Sequence, residues 1–236
     1  MSTRINLWRA LFGEKPRILL ENSDFTVTSF RYDSGVEGLK IANSRGHLII
    51  LPWMGQMIWD AQFDGHGLTM CNMFRQPKPA TEVIETYGCF AFHSGLLANG
   101  CPSAEDTHLL HGEMACAAMD EAWLELDGDM LRLNGRYEYV MGFGHHYLAQ
   151  PTVVLHKSST LFDIKMAVTN LASVDMPLQY GFAPIFPDTC YHLTHYWPAA
   201  ADIPVASDNP VHYADAIRYN ARTPLQGSLL PLTRLV

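Results

Sequence analysis

Short apolar runs separated by turn residues recur through the first two thirds of the chain. Turn sequences such as Asp33-Ser34-Gly35, Asp64-Gly65 and Asp127-Gly128-Asp129 stand between runs that are rich in β-branched and aromatic residues. Turns of this kind between such runs are typical of β-hairpins. The runs begin about every ten residues, which favours an antiparallel sandwich or barrel over alternating strand–helix units. The sequence therefore predicts an all-β fold.

The pattern also places the individual elements. The predicted strands are Arg17–Glu21, Phe25–Tyr32, Val36–Ala42, His47–Leu51, Gln56–Phe63, Ala122–Leu126, Met130–Val140, Tyr147–His156, Thr160–Asn170 and Leu178–Phe182. Residues 4–12 carry apolar side chains at helical spacing, which predicts a short amphipathic helix. Proline accumulates after residue 171 and cannot donate to a β ladder, so residues 184–236 receive no assignment. No linker divides the chain, and residues 1–236 are interpreted as one domain.

Composition excludes several classes of partner. The formal charge is −8 without a basic patch, which argues against nucleic acid as a partner. No run of about 18 apolar residues occurs, so no membrane span is expected, and the first residues are too mixed in polarity for a signal peptide. The five cysteines form no CxxC pair. We therefore expect a soluble protein of the reducing cytoplasm, and the sequence leaves its oligomeric state open.

Residues 85–113 concentrate imidazole and carboxylate groups on a stretch that glycines and Pro102 break into turns. Imidazole titrates near neutral pH and can exchange a proton or bind a metal. Loops on a rigid scaffold carry most protein chemistry, so the cluster predicts a functional site, although any single member also fits a solvated loop. The histidines are His93, His108 and His111, and the carboxylates are Glu85, Glu105, Asp106 and Glu113.

Three stretches of the chain resemble a known family of sugar-converting proteins. Residues 92–113, with the pair His111-Gly112, are similar to the His-Gly segment of aldose 1-epimerase-like proteins in the galactose mutarotase superfamily. Residues 168–178 resemble the strand, polar turn and proline of that superfamily, and residues 51–60 fit the same branch. The resemblance implies a β-supersandwich of mostly antiparallel strands with a sugar groove on one concave face.

The resemblance also implies a reaction. Aldose 1-epimerases interconvert the α and β anomers of a small sugar, with a histidine as general acid and a late glutamate as general base, and need no metal or organic cofactor. By motif, His111 is the predicted catalytic histidine. The predicted sugar-binding residues are His93, His108, Glu113, Trp53 and Trp59.

Two departures from the family pattern keep a second interpretation open. Ala183 and Pro184 stand where the family carries a second histidine, and no glutamate follows Glu138. The aspartates that remain as candidate bases are Asp188, Asp202, Asp208 and Asp215, and no motif selects among them. The alternative is a carbohydrate-binding protein with impaired catalysis, in which Trp53, Trp59, Tyr87 and Trp123 supply aromatic faces.

A third interpretation is a metal site. His93, His108, His111 and Glu113 form a ligand set like that of a cupin-type sugar isomerase or lyase, since imidazole and carboxylate suit transition metals. Weaker candidates lie elsewhere in the sequence. Arg132 and Arg136 share a strand face and suit a phosphate or sulfonate on a sugar. The pairs His145-His146 and His192/His195 are more typical of solvated turns and of the unassigned end of the chain.

Overall fold

The protein folds into two antiparallel β-sheets. The structure, a computed structural model, describes residues 3–184, with side chains up to Phe182. Its strands are β1 Thr3–Leu7, β2 Arg17–Glu21, β3 Thr26–Arg31, β4 Glu37–Asn43, β5 Gly46–Leu51, β6 Met57–Phe63, β7 His66–Gly67, β8 Ala91–Leu96, β9 Glu121–Asp127, β10 Met130–Val140, β11 His146–His156, β12 Phe162–Asn170 and β13 Gln179–Pro184. Single 3₁₀ turns span Arg9–Leu11 and Val83–Thr86. Within residues 3–184 no helix is long and apolar enough to cross a membrane.

The two sheets differ in size. The smaller has five strands in the order β1-β9-β10-β11-β12, and the larger runs β13-β8-β6-β5-β4-β3-β2, with β7 paired to β6. Between them lies a core of side chains that are wholly removed from solvent, among them Leu48, Ile50, Leu133 and Val153. Phe63 of β6 stacks on Phe162 of β12, with 5.9 Å between ring centroids, and fixes the contact of the two sheets.

The all-β prediction is confirmed, and all ten predicted strands are observed with ends within two residues of the predicted ones. The predicted helix over residues 4–12 is wrong. Its first half is strand β1, which pairs with β9 so that Leu7 lies opposite Ala122 and is buried. Only one 3₁₀ turn follows, and Trp8 is 65% exposed. Pairing with the edge of a sheet outweighs helical spacing in so short a segment. The single-domain prediction covers residues outside the described part and stays a prediction.

A second apolar cluster lies on the outer face of the larger sheet. Phe63 of β6 faces the smaller sheet and lies opposite Gly46 of β5. Leu48 shares the face of Gly46, so Ile49 and Leu51, which alternate with Leu48 along β5, face away from the smaller sheet. Side chains from the long connections on either side of β8 pack onto Leu51 there, including Val83, Cys89 and Cys116. This packing holds the histidine-rich segment against the sheet.

Candidate functional site

The backbone at His111 is held in a left-handed conformation, with φ of 62°. Its N–H donates to the carbonyl of Gly100 at 2.8 Å, and its own carbonyl accepts the N–H of Gly95 at 2.9 Å. Gly112 continues the left-handed turn with φ of 78°. A non-glycine residue in this region is strained and persists only where its surroundings fix it. The bond with Gly95 ties His111 to the end of β8, and the bond with Gly100 ties it to the loop that follows.

The His111 imidazole is half-buried against two aromatic rings. Phe92 of β8 meets it edge-on, with centroids 5.1 Å apart, and Tyr87 lies nearly parallel to it at 6.4 Å. This burial lowers the pKa of His111, because desolvation disfavours the charged imidazolium. The ring is therefore neutral at pH 7 and able to accept a proton.

Ser94 and Asn99 set the orientation of that ring, and the sequence interpretation missed both. The Ser94 hydroxyl donates to Asn99 Oδ1, which also accepts the N–H of Gly100 at 2.7 Å. Ser94 Oγ lies 3.3 Å from His111 Nδ1. The His111 carbonyl, 3.1 Å from Ser94 Oγ, is a second acceptor for the hydroxyl proton. Donation to either oxygen leaves Ser94 Oγ able to accept from Nδ1–H, which favours the tautomer with a free lone pair on Nε2. Their only sequence signal is two short polar side chains inside the histidine-rich segment.

His93 belongs to the other face of β8. Neighbouring residues in a strand point to opposite faces, and while Ser94 contacts His111, the His93 ring packs against Tyr180 and Phe182 of β13. Its Nδ1 lies 2.9 Å from the Tyr180 hydroxyl. The residue is fully buried, and desolvation lowers its pKa to about 3. No partner for Nε2 lies among the described residues, so His93 is a neutral interior imidazole.

Glu113 spans a gap between the sheets. Its Oε1 accepts the N–H groups of Leu96 and Leu97 at 3.0 and 2.9 Å, at the end of β8. The same oxygen accepts the hydroxyl of Tyr147, on β11 of the smaller sheet, at 2.7 Å. Oε1 with its three donors is a brace between the two sheets, because little of the acceptor capacity of that oxygen is left for a ligand.

The structure does not bring His93, His108 and His111 together. His108 is partly buried, and its Nδ1 lies 2.8 Å from the neighbouring carbonyl of Leu109. With His93 on the far side of β8 and Glu113 Oε1 holding three donors, His111 stands apart from the other three. Between Thr3 and Pro184 no three His, Cys, Asp or Glu side chains come together as metal ligands. The geometry thus gives the set His93, His108, His111 and Glu113 no common centre.

The two predicted sugar-binding tryptophans are largely buried. Trp59, 7% exposed, belongs to the outer apolar cluster. Trp53 is 8% exposed, and the guanidinium of Arg9 covers its ring at 4.9 Å. Trp53 does line two pockets of about 280 and 340 Å³, and its Nε1 has no partner in the described part. Of the other aromatic candidates, Tyr87 lies on His111, whereas Arg4 covers Trp123 at 4.3 Å.

The remaining candidates are paired or lie elsewhere. Arg132 contacts Asp127 at 3.3 Å. Arg136 lies 2.9 Å from Glu121, so neither arginine is free to clamp a phosphate or sulfonate. His146 pairs with Glu138 at 2.9 Å. The candidate bases Asp188, Asp202, Asp208 and Asp215, together with His192 and His195, lie outside the described residues.

Comparison with known proteins bears on the fold. No protein-family model matches the sequence, and no curated protein matches it. A crystal structure described as a "putative aldose 1-epimerase" from Klebsiella pneumoniae is similar, with a TM-score of 0.65 and 15% identity. The match covers 78% of this chain and 51% of that one, so the chain spans about half the length of the similar protein. At this identity the likeness shows a shared β-sandwich fold.

Proposed function

We propose that the chain is a carbohydrate-active protein of the aldose 1-epimerase type, which binds a small sugar and interconverts its anomers. The observation that carries the proposal is the placement of His111. Its neutral, half-exposed ring is fixed in a strained backbone turn beside Ser94 and Asn99. Strained residues of this kind cluster at functional sites, and the surrounding fold is that of a similar protein described as an epimerase.

Anomer exchange needs two proton transfers. A base takes the proton of the anomeric hydroxyl while the bond from C1 to the ring oxygen breaks, and an acid delivers a proton to that ring oxygen. The C1–C2 bond then rotates, and both transfers reverse on closure. Neutral His111 supplies the first base through Nε2, and a placed proton-transfer group is worth about 10²–10⁴-fold in rate. The proposed acid, which protonates the ring oxygen, is a water molecule.

The proposed function also implies a kind of ligand and a cellular compartment. A neutral sugar is recognised by amide groups such as that of the partly buried Asn99, together with aromatic faces such as Tyr87. The cysteines of the described part, Cys71, Cys89, Cys101 and Cys116, are free thiols. Free thiols fit the reducing cytoplasm that the sequence predicts. The proposed reaction needs no cofactor.

A binding protein without catalysis is the second candidate. The observation that favours it is the environment of His111, because none of the hydrogen bonds or ion pairs found in residues 3–184 joins this imidazole to a carboxylate, and Glu113 is engaged elsewhere. Epimerase chemistry needs a second proton-transfer group, whereas sugar binding does not.

The decay of optical rotation of freshly dissolved α-D-galactose and α-D-glucose tests the proposal. The protein is expected to accelerate the decay, and His111→Ala is expected to lose at least about 100-fold of that acceleration. His66→Ala, which removes an exposed histidine on β7, is the matched control and is expected to keep it. Sugar binding seen by saturation-transfer NMR without acceleration favours the second candidate. A protein that neither binds nor accelerates the tested sugars contradicts both.

A further inference from the structure

Arg75 and Lys78 are two of eight lysines and arginines in residues 3–184 that form no ion pair with a carboxylate. The formal charge of the protein is −8, and several of its arginines form ion pairs, including Arg9 with Glu37 and Arg45 with Asp64. Within residues 3–184 neither Arg75 nor Lys78 has a carboxylate oxygen within 4.0 Å. An unpaired charge is ordinary on an open surface, so its surroundings decide whether it matters.

Both cations line one pocket, of about 680 Å³. This volume is within the range of small-molecule sites. Gln76 adds an amide donor to the wall, and Phe74 adds an aromatic face. The carboxylate of Glu85 lies on the same wall and opposes the two positive charges.

The chain around these cations is held in place. The N–H of Lys78 donates to the hydroxyl of buried Thr86 at 3.0 Å. The Lys78 ammonium lies 5.5 Å from the centroid of the Phe74 ring, within the range of a cation–π contact. Phe74 itself packs against the outer apolar cluster. The positive charges are therefore carried by an ordered segment.

The pocket adjoins the proposed proton-transfer site along the chain. Thr86 alone separates Glu85, on the pocket wall, from Tyr87, whose ring lies on the His111 imidazole. Phe74 and Tyr87 also pack on the same apolar cluster. A ligand that reaches both the His111 imidazole and this pocket would be a sugar with a charged substituent. Its ring would lie at His111 and its charged group in the pocket.

We propose that Arg75 and Lys78 bind an anionic substituent of the sugar, a phosphate or a carboxylate. The guanidinium of Arg75 suits either group, because its N–H fork matches their paired oxygens, and Lys78 adds a point charge. The proposal rests on the proposed function for the identity of the ligand as a sugar. It gives the substrate a negative charge, which the resemblance to neutral-sugar epimerases does not imply.

Calorimetric titration distinguishes the ligands. Glucose 6-phosphate, glucuronate, glucose and inorganic phosphate are titrated into the full chain at low and at about 0.5 M salt. At low salt the phosphorylated sugar or the uronate is expected to bind at least tenfold more tightly than glucose, and salt is expected to weaken the binding. Which of the two binds more tightly identifies the anion. Equal affinity for glucose and both anionic sugars, or affinity for inorganic phosphate equal to that for the preferred anionic sugar, overturns the proposal.

Variants test the two cations directly. Arg75→Gln with Lys78→Gln is expected to weaken binding of the preferred anionic sugar at least tenfold, since hydrogen bonds to charged groups are lost. Arg17→Gln with Lys165→Gln removes the same charge from exposed strand positions and is expected to change affinity less than threefold. Glu85→Gln removes the opposing carboxylate and is expected to tighten binding. Equal losses in the two double variants, or weaker binding in Glu85→Gln, overturn the proposal.

Mutarotase activity and the binding of anionic sugars, both measured on the parent protein, separate this proposal from the proposed function. If the parent protein shows no mutarotase activity while the cations still select the anionic sugar, the epimerase proposal fails and the anion site stands. If mutarotation depends on His111 while charged and neutral sugars bind alike, the anion site fails alone.

Discussion

The Tyr147 hydroxyl donates to Glu113 Oε1 at 2.7 Å and joins the smaller sheet to the end of β8. Tyr147 is fully buried, and its pKa is raised first by desolvation and then by this carboxylate. Because Glu113 also holds the N–H groups of Leu96 and Leu97, the pair braces the segment that leads to His111.

Tyr147→Phe is expected to lower the free energy of unfolding by about 1–2 kcal/mol, since it removes one hydrogen bond to a charged group and keeps the ring. Urea denaturation at pH 7 measures the change. Tyr139→Phe is the matched control: its ring stacks on Tyr147 at 5.0 Å, but its hydroxyl contacts only a methionine sulfur at 3.8 Å. A loss in Tyr139→Phe as large as that in Tyr147→Phe contradicts the bracing role.

His93 is expected to make the fold sensitive to acid. Its pKa is about 3 in the folded protein and about 6.5 in an unfolded chain. Below pH 6.5 the unfolded state therefore binds a proton that the folded state does not, and stability falls as the pH drops toward 3. The loss amounts to about 1.4 kcal/mol per pH unit in that window.

Comparison with His93→Gln isolates this contribution, because glutamine keeps a polar partner for Tyr180 but does not titrate in this range. Urea denaturation is measured at pH 7 and at pH 4.5. The parent protein is expected to lose about 2–3 kcal/mol more than the variant between these values. Parallel losses in the two proteins would show that His93 is not the titrating group.

Most strands were predictable because turn residues mark their ends and because polar and apolar side chains alternate along them. β2 and β10 have the predicted bounds, Arg17–Glu21 and Met130–Val140. β8 was missed because all six of its residues are buried, so it shows no alternation of polar and apolar side chains. β1 was missed because its pairing with β9 links positions more than a hundred residues apart, which no local pattern reveals.

The site was predictable only in part, for a related reason. The sequence places His93 and His111 in one segment, but it does not show that β8 runs through that segment and turns His93 toward β13. Nor does it show that the hydroxyl of Tyr147 binds Glu113 from the other sheet. Arg75 and Lys78 were missed because only the structure shows which cations have partners.

The pH dependence of the proposed mutarotation is expected to follow the lowered pKa of His111. Burial favours the neutral ring, which is the proposed base, so activity is expected to persist below pH 6.5 and to fall at more acidic pH. The logarithm of kcat/KM against pH measures the midpoint of this fall. Tyr87→Ala uncovers the imidazole and is expected to raise the midpoint toward 6.5, whereas Tyr87→Phe keeps the ring and leaves it unchanged. A common midpoint in all three proteins argues against His111 as the titrating base.

Gly112 is expected to be indispensable for the placement of His111. Its φ of 78° is left-handed, and a Cβ there would lie 2.1 Å from the Ala98 carbonyl oxygen and 2.8 Å from that of Gly95. Both are backbone atoms that cannot rotate away. Gly112→Ala is therefore expected to cost at least about 1–3 kcal/mol in free energy of unfolding. It is also expected to shift the imidazole resonances of His111 in NMR spectra, because the turn that holds this residue must open.

Gly142→Ala provides the comparison, since Gly142 is exposed and a Cβ there would meet no atom within 4 Å. Its free energy of unfolding is expected to stay within about 0.5 kcal/mol of the parent value, as for other surface substitutions. The two substitutions differ chiefly in the backbone strain and the steric contacts that the added Cβ causes. The difference between their free energies of unfolding therefore measures how firmly the fold fixes the His111 turn. If both are equally stable and the His111 resonances stay in place, the turn adapts to a side chain and strain at His111 is no mark of a functional site.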